Sequence, residues 1–577
     1  NPEDIKSAYQ YINRDQYGQW SILDRKTSLV INSQGNNESW KRYTLNPNNV
    51  SSEEITKFVW NYQFKEMYLR YFAWQFIGKE DWNERTWSRN SLDGTPLMSM
   101  RPLQGVDIFR YIVPLAFIIG LYGMFYHFRR DPQRALSVLT LFILTGLAIV
   151  VYLNQSDPQP RERDYAYVGS FFAFSIWIGI GIFGLLSELR KKFNISSLIP
   201  SILLILFMPF LMGVVDWKEH DRSNRYEAWD YAYNLLNSCA PNAVLFTNGD
   251  NDTFPLWYIQ EVENIRKDVK VVNLSLLNFP SYIRQLDEHS PSLNMFNIDD
   301  DVDEYLKIVE SENYENLMEY AFKNWLKSDY TINLQTESGK NFNWKFNPGT
   351  YGVGLTNITI LKIIETCFDK NPIYFSTTTG NNNLGLDDYL IQEGLVYKLS
   401  NQLNNTPMDI RMDIDKTIQM ITKSNSEDVI RNVDDYFSAT LEENGIYRYN
   451  QLDTEGIFYG PNIERLAANY RNIFFKTATN IALDFNRKNH LQESFAIIDL
   501  MNEYLPSNVI PTEISYDYGA LSFCQSLLQV IQFKIEQNIN DISFNQEIEL
   551  VDKNITNLLS TVNPQLVKKY FPDFYIE

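Results

Sequence analysis

Between residues 108 and 215 the chain carries four apolar runs in close succession, at 108–126, 135–153, 168–186 and 198–215. Each approaches the ~20 residues that a helix needs to cross the hydrocarbon of a bilayer. Such a series constrains the fold more than any other feature, because only helices and closed barrels satisfy their backbone groups in lipid. The expectation is a multi-pass α-helical membrane domain of four spans. Pro114 and Pro200 fall near helix starts, and Pro209 lies deeper, where it is expected to kink the fourth run.

Short loops rich in Lys and Arg stay on the cytoplasmic side. HFRRDPQR (127–134) and LRKKF (189–193) are both basic, and both follow odd-numbered runs. The opposite side then receives residues 1–107, the loop NQSDPQPRERDYAY (154–167) and everything after about 216. In a Gram-negative bacterium this describes an inner-membrane protein with large soluble parts in the periplasm.

The soluble parts are polar, aromatic-rich and acidic. Across 577 residues the net charge is −20, which argues against a nucleic-acid partner, since phosphate backbones require a basic face. Cys239, Cys367 and Cys524 are far apart and odd in number, so small buried hydrophobes are expected in place of a disulfide framework. His127, His220, His289 and His490 lack ligand spacing, and no metal site is expected.

Residues 1–107 read as an external juxtamembrane segment. Within it, 53–77 has a helical pattern dense in aromatics, expected at the membrane interface or, as a sharper alternative, as a sugar platform. Residues 216–425 alternate between strand and helix signals. Strands are expected at 243–247, 269–274 and 372–376, with helices at 256–265 and 356–368 and an inserted hairpin at 330–346 turning at Ser338 and Gly339. That order predicts a parallel α/β sheet. Residues 426–577 are mainly helical. The pair 463–486 and 491–505, with Ala467, Ala468, Ala478, Ala482 and the closing Pro506, resembles a tetratricopeptide unit, and 516–537 is expected to begin another such unit.

Two motifs carry chemistry. In RERD, Arg161 and Arg163 would point to one side of an extended strand and clamp a phosphate, while Glu162 and Asp164 face the other way and reach substrate. The structural alternative is that the four charges pair with one another or with lipid headgroups. In NGDNDTFP, Asp250, Asn251 and Asp252 follow a strand at a helix start, where ligands gather in open α/β sheets. They would bind a cation or sugar hydroxyls. The structural reading, an Asx-turn capped by Asp252 or Thr253 with Pro255 in the first turn, weighs more.

INRDQYG (12–18), RPLQGVDIFRYIVPLAF (101–117), YLNQSDPQPRERDYAYVGSFFAFSIWIGIG (152–181) and LFTNGDNDTFPLWYIQEVENIRKDVKVVNLSLLN (245–278) together resemble the large bacterial membrane proteins of glycosyltransferase family 117. These are relatives of the animal transmembrane O-mannosyltransferase of plexin-type domains. The resemblance spans most of residues 1–290. It implies a GT-C-type enzyme that transfers a sugar, mannose or another hexose, from a polyprenyl-phosphate donor to Ser or Thr of exported proteins. It also implies a catalytic acid on a first external loop that this chain does not contain. The chain is therefore expected to be the carboxy-terminal half of such an enzyme, with the other half as a further segment or a separate partner. No catalytic residue is assigned. The rival expectation is a non-catalytic scaffold subunit of an envelope or protein-export complex, with the helical tail as its docking platform.

Overall fold

A computed structural model describes residues 9, 24–30, 39–80, 105–157, 159, 162–193, 198–289, 291–293, 295, 314–346, 354–380, 382–403, 411–441, 445–512, 514–537 and 542–574. They divide between two compact units, Asn1–Asp221 and Arg222–Glu577. Most elements are helices. A six-stranded mixed sheet and a two-stranded hairpin both lie in the second unit.

Among the described residues of the first unit, three helices are long and apolar enough to cross a membrane: Pro132–Leu153, Asp164–Lys192 and Ile199–His220. The first of the four expected spans is shorter than its composition suggests. Residues 108–114 form turns, with Ile112 at a φ of 69°, and Pro114 leads into a helix, Leu115–Arg130, of only 16 residues. At ~1.5 Å per residue it measures ~24 Å, against a hydrocarbon core of ~30 Å. The next span is interrupted, since Pro132–Leu144 stops at Thr145 and Gly146 and restarts as Leu147–Leu153. Pro209 sits in a π-helical turn, Leu206–Phe210, whose wider winding accommodates a residue without an N–H. Helices Leu115–Arg130 and Val168–Phe193 meet at glycines. A Cβ on Gly123 would stand 1.8 Å from the Trp177 carbonyl oxygen, and one on Gly181 2.2 Å from that of Ile119. Any side chain there would force the helices apart.

The aromatic segment is one continuous helix. It is capped by Ser51 and Glu54 and runs from Ser52–Phe58 through a π-helical stretch, Val59–Leu69, into Arg70–Phe76. Much of its aromatic face is turned inward, while Trp60 is 54% exposed. Tyr62, Tyr68, Tyr71, Trp74 and Phe76 are buried in a core shared with Ile119, Phe171, Phe174 and Trp177.

In the second unit, β1 (Val244–Thr247), β2 (Lys270–Asn273) and β5 (Ile373–Ser376) run parallel, β1 in the middle. This bears out the strand–helix–strand reading. The sheet is nevertheless mixed. β7 (Val396–Leu399) pairs antiparallel with β5, β6 (Leu390–Glu393) pairs antiparallel with β7, and the short β8 (Arg411–Met412) closes the edge. The tight turn between β6 and β7 relies on Gly394 at a φ of 59°, as a short hairpin demands. Both faces of the sheet are covered. Val244, Phe246 and Phe375 pack on one side against Leu355–Cys367 and the hairpin of β3 (Thr331–Gln335) and β4 (Asn341–Lys345). Leu245, Val271 and Tyr374 pack on the other against the helices of the tail. Two-sided burial explains why these strands read as continuous apolar runs. The tail helices Pro461–Leu483 and His490–Tyr504 pack as a pair, with Ala467, Ala478 and Ala482 fully buried between neighbours. All three cysteines are free and buried, as small hydrophobes.

One buried carboxylate makes this unit pH-sensitive. Asp230, on helix Glu227–Asn237, is 1% exposed and accepts from the Asn450 backbone N–H (2.6 Å) and Nδ2 (2.8 Å). Burial outweighs these bonds and pushes its carboxyl up to about 6. The folded state then binds more protons than the unfolded chain between pH ~4 and ~6, so this group's contribution to stability falls as pH rises through that window. Asp230→Asn keeps both partners if the Asn450 amide flips. It is expected to flatten that slope and stabilise the protein at pH 7 by about 2 kcal/mol, read by urea unfolding at pH 4.5 and 7. An unchanged slope would refute the assignment.

Candidate functional site

The loop after helix Leu147–Leu153 is pinned along the aromatic helix by side chains from elements far away in sequence. Asn154 ends the preceding helix in the left-handed conformation (φ 44°) and is 2% exposed. Its Oδ1 accepts from Arg25 Nη1 (2.6 Å) and Gln63 Nε2 (3.1 Å). Gln63 also donates to the Gln155 carbonyl (2.9 Å), and the Tyr62 hydroxyl donates to that of Ser156 (3.0 Å). Asp157 accepts from the Tyr43 hydroxyl (2.7 Å) and Arg42 Nη1 (3.1 Å). Glu162 accepts from Arg70 Nη2 (2.8 Å), Arg70 Nη1 (3.3 Å) and the Tyr71 hydroxyl (2.5 Å). The Tyr71 oxygen in turn accepts from the Arg163 backbone N–H (3.0 Å).

The π-helical winding makes this possible. Tyr62 and Tyr71 are nine residues apart, about two and a half α-helical turns, which would set them on opposite faces. The wider i+5 turn over Val59–Leu69 returns both to the face that meets the loop. Burial pushes the Asp157 carboxyl up, against the opposing pull of Tyr43 and Arg42. It pushes the Tyr71 hydroxyl up as well, reinforced by the charge of Glu162.

Glu162 pairs with Arg70, 92 residues earlier. Arg163 is half-buried. Its Nε donates to Gln159 Oε1 (3.2 Å) and its Nη1 to the Tyr165 hydroxyl (3.2 Å), both neutral. Among the described residues no carboxylate lies within ion-pair distance of it. Asp164 opens a 3-10 turn, Asp164–Tyr167, and Arg163 before it has φ −118° and ψ 24°, so the extended strand expected over RERD is not formed here. Arg161 lies outside the described residues. Among the described residues Arg25 likewise meets neutral acceptors: Asn154, Gln63 and the Val151 carbonyl.

The second candidate lies at the carboxyl ends of β1, β2 and β5. Asp252 is the third residue of helix Asp250–Glu261. It accepts from the Asn248 N–H (2.8 Å), the Gly249 N–H (2.9 Å) and the Thr378 hydroxyl. Its carboxylate is thus engaged in capping, as the structural reading holds, although the cap position itself is Gly249 and Pro255 falls in the second turn. Thr253 bonds the Gly249 carbonyl and the Thr247 hydroxyl. Asp250 and Asn251 are exposed on the first turn. Asn382 Nδ2 reaches Asn248 Oδ1 (3.1 Å), and Ser275 Oγ donates to the Asn248 carbonyl (2.7 Å), completing a polar rim around the strand ends. Neither Thr378 nor Asn382 had a signal in the sequence. They come from the segment after β5, brought alongside β1 by the parallel pairing.

Comparison with known families finds that the profile of the TMEM260-associated domain 2 family matches residues 228–349. That stretch runs from helix Glu227–Asn237 through β1 and β2 to the β3–β4 hairpin. The family is tied to a transmembrane glycosyltransferase-like protein. No solved structure matches the chain.

Proposed function

We propose that this chain is part of a membrane glycosyltransferase that moves a sugar from a polyprenyl-phosphate donor to Ser or Thr of exported proteins. The observation that carries the reading is Arg163. Among the described residues it is a guanidinium with neutral partners, on a loop held in place by Arg42, Arg70 and Tyr71 beside apolar helices. A planar fork of donors at the edge of a membrane suits a lipid phosphate, which carries charge and bidentate acceptors. Arg161, its neighbour but one, would join it. The family matched at 228–349 supports the same reading, as does the resemblance of the sequence to glycosyltransferase family 117.

On this reading the acceptor hydroxyl attacks the anomeric carbon, its proton passes to a base, and the lipid phosphate leaves with the bonding electrons. Arg163 stabilises the charge that grows on that phosphate. The base is assigned to no residue of this chain. The loop faces the periplasmic side of a bacterial inner membrane, and the second unit holds the exported acceptor protein. The test is transfer of labelled mannose from polyprenyl-phosphate mannose to a Ser/Thr-rich peptide by the membrane-purified protein. Arg163→Ala is expected to lower kcat by about 10²–10³, with partial recovery in Arg163→Lys. Transfer that is unaffected by the substitution would remove the role of Arg163. Absence of transfer by the intact native protein would favour the scaffold subunit.

A further inference from the structure

The second unit contains a half-open groove of about 980 Å³, at the upper end of the range for small-molecule sites. One face of the β3–β4 hairpin is buried through Ile332, Leu334, Phe342 and Trp344. The other face carries four carboxamides in cross-strand register, Asn333 opposite Asn343 and Gln335 opposite Asn341, and all four line the groove. Among the described residues none of these side chains has a hydrogen-bond partner. Lys362 and Glu365 line it as well. They neutralise each other at 3.1 Å, and Glu365 is fixed further by the Trp325 indole N–H (3.1 Å).

We propose that this groove binds a neutral glycan. Each carboxamide presents a donor and an acceptor in one plane, which matches the adjacent hydroxyls of a sugar ring. Two lysines and two carboxylates line the groove: Lys362 is paired with Glu365, and Lys327 shares the lining with Glu337, so the groove carries no excess of positive charge to favour a phosphorylated ligand. An extended peptide would add to a strand edge, yet at the Asn333–Asn343 pair both edges are taken. The Asn333 N–H donates to the Trp325 carbonyl (2.9 Å), and Leu326 bridges Ile332. On the far edge the Asn343 N–H and carbonyl both bond the Tyr389 hydroxyl, at 3.1 and 3.2 Å. What remains open is a side-chain surface made mostly of uncharged hydrogen-bonding groups, with Lys327 and Glu337 beside them. The inference does not depend on the transfer activity proposed above, and a protein without transferase activity would still bind the glycan.

The test uses the full protein in nanodiscs and a panel of neutral di- to tetrasaccharides of glucose, mannose, galactose and N-acetylglucosamine, read by saturation-transfer NMR. At least one saccharide is expected to bind saturably, and the double variant Asn333→Ala/Asn343→Ala is expected to weaken it about tenfold. If that variant loses cooperative unfolding, the exposed Gln335→Ala serves instead, with a weakening of about threefold. No saturable saccharide binding, binding unchanged in a folded variant, or binding of an uncharged peptide in place of every saccharide would overturn the proposal.

Discussion

Arg266→Ala is expected to destabilise the second unit by about 5 kcal/mol, the largest effect of any single substitution considered. The Arg266 guanidinium is fully buried. It forms a two-pronged pair with Asp268, both bonds 2.9 Å, and lies over the Tyr436 ring at 4.7 Å. Its remaining donors reach the carbonyls of Leu236 (3.1 Å), Cys239 (3.1 and 3.2 Å) and Ala240 (3.3 Å). The Leu236 carbonyl belongs to the last turn of helix Glu227–Asn237 and the other two follow it, where helical partners run out. Alanine would strand the Cys239 and Ala240 carbonyls along with a half-buried carboxylate, while that of Leu236 still accepts from the Cys239 N–H (3.2 Å). Lysine, with one compact ammonium, cannot reproduce the fork and is expected to recover less than half the loss. Urea unfolding monitored by tryptophan fluorescence reads the effect. A loss below about 1 kcal/mol would show that water reaches these carbonyls and that the guanidinium does not organise the helix end.

Arg70→Ala is expected to cost the first unit about 4 kcal/mol and to release the loop from the aromatic helix. Arg70 is 2% exposed, bonded to Glu162 at 2.8 Å and to Glu66 at 3.4 Å, and stacked on Tyr71 and Trp74 at 4.8 and 4.6 Å. Without it, the half-buried Glu66 loses its counter-ion while burial already pushes its carboxyl up. Glu162 is partly solvated, which limits its share. Hydrogen exchange in nanodiscs separates the two consequences. Faster exchange at the Arg163 amide, whose acceptor is the Tyr71 hydroxyl, reports release of the loop. Tyr71→Phe should reproduce that release at a cost of only about 1–2 kcal/mol. An Arg163 amide unchanged in both variants would mean that the loop is held by Asn154 and Asp157 alone.

The three helices long and apolar enough to cross a membrane were legible because lipid demands long apolar runs, and composition alone reports them. The exception, 108–114, shows the limit: apolar residues there form turns before Pro114, and hydropathy does not see a turn. β1, β2 and β5 were legible as short apolar runs buried on both faces. β6 and β7 were not. Gln392 and Glu393 are buried polar residues, and Glu393 is neutralised by Lys416 and Lys398 from outside its strand, so the pattern carries no strand signal.

The candidate loop was legible as a motif but not as a geometry. Its anchors, Arg25, Arg42, Tyr62, Gln63 and Arg70, lie about 90 to 130 residues away. The π-helical winding that aligns Tyr62 with Tyr71 leaves no trace in a pattern read at 3.6 residues per turn. Pairing of Glu162 with Arg70 is the step that leaves Arg163 with neutral partners, and local spacing gives no hint of it.

The central claim is that a lipid phosphate sits at Arg163. Its most direct test is equilibrium binding of a short-chain polyprenyl phosphate to the full protein in nanodiscs, by native mass spectrometry at two salt concentrations. Saturable binding that weakens at least tenfold in Arg163→Ala, and that polyprenyl-phosphate mannose displaces, is the expected result. Binding of equal strength in wild type and variant, or no binding to either, would contradict it.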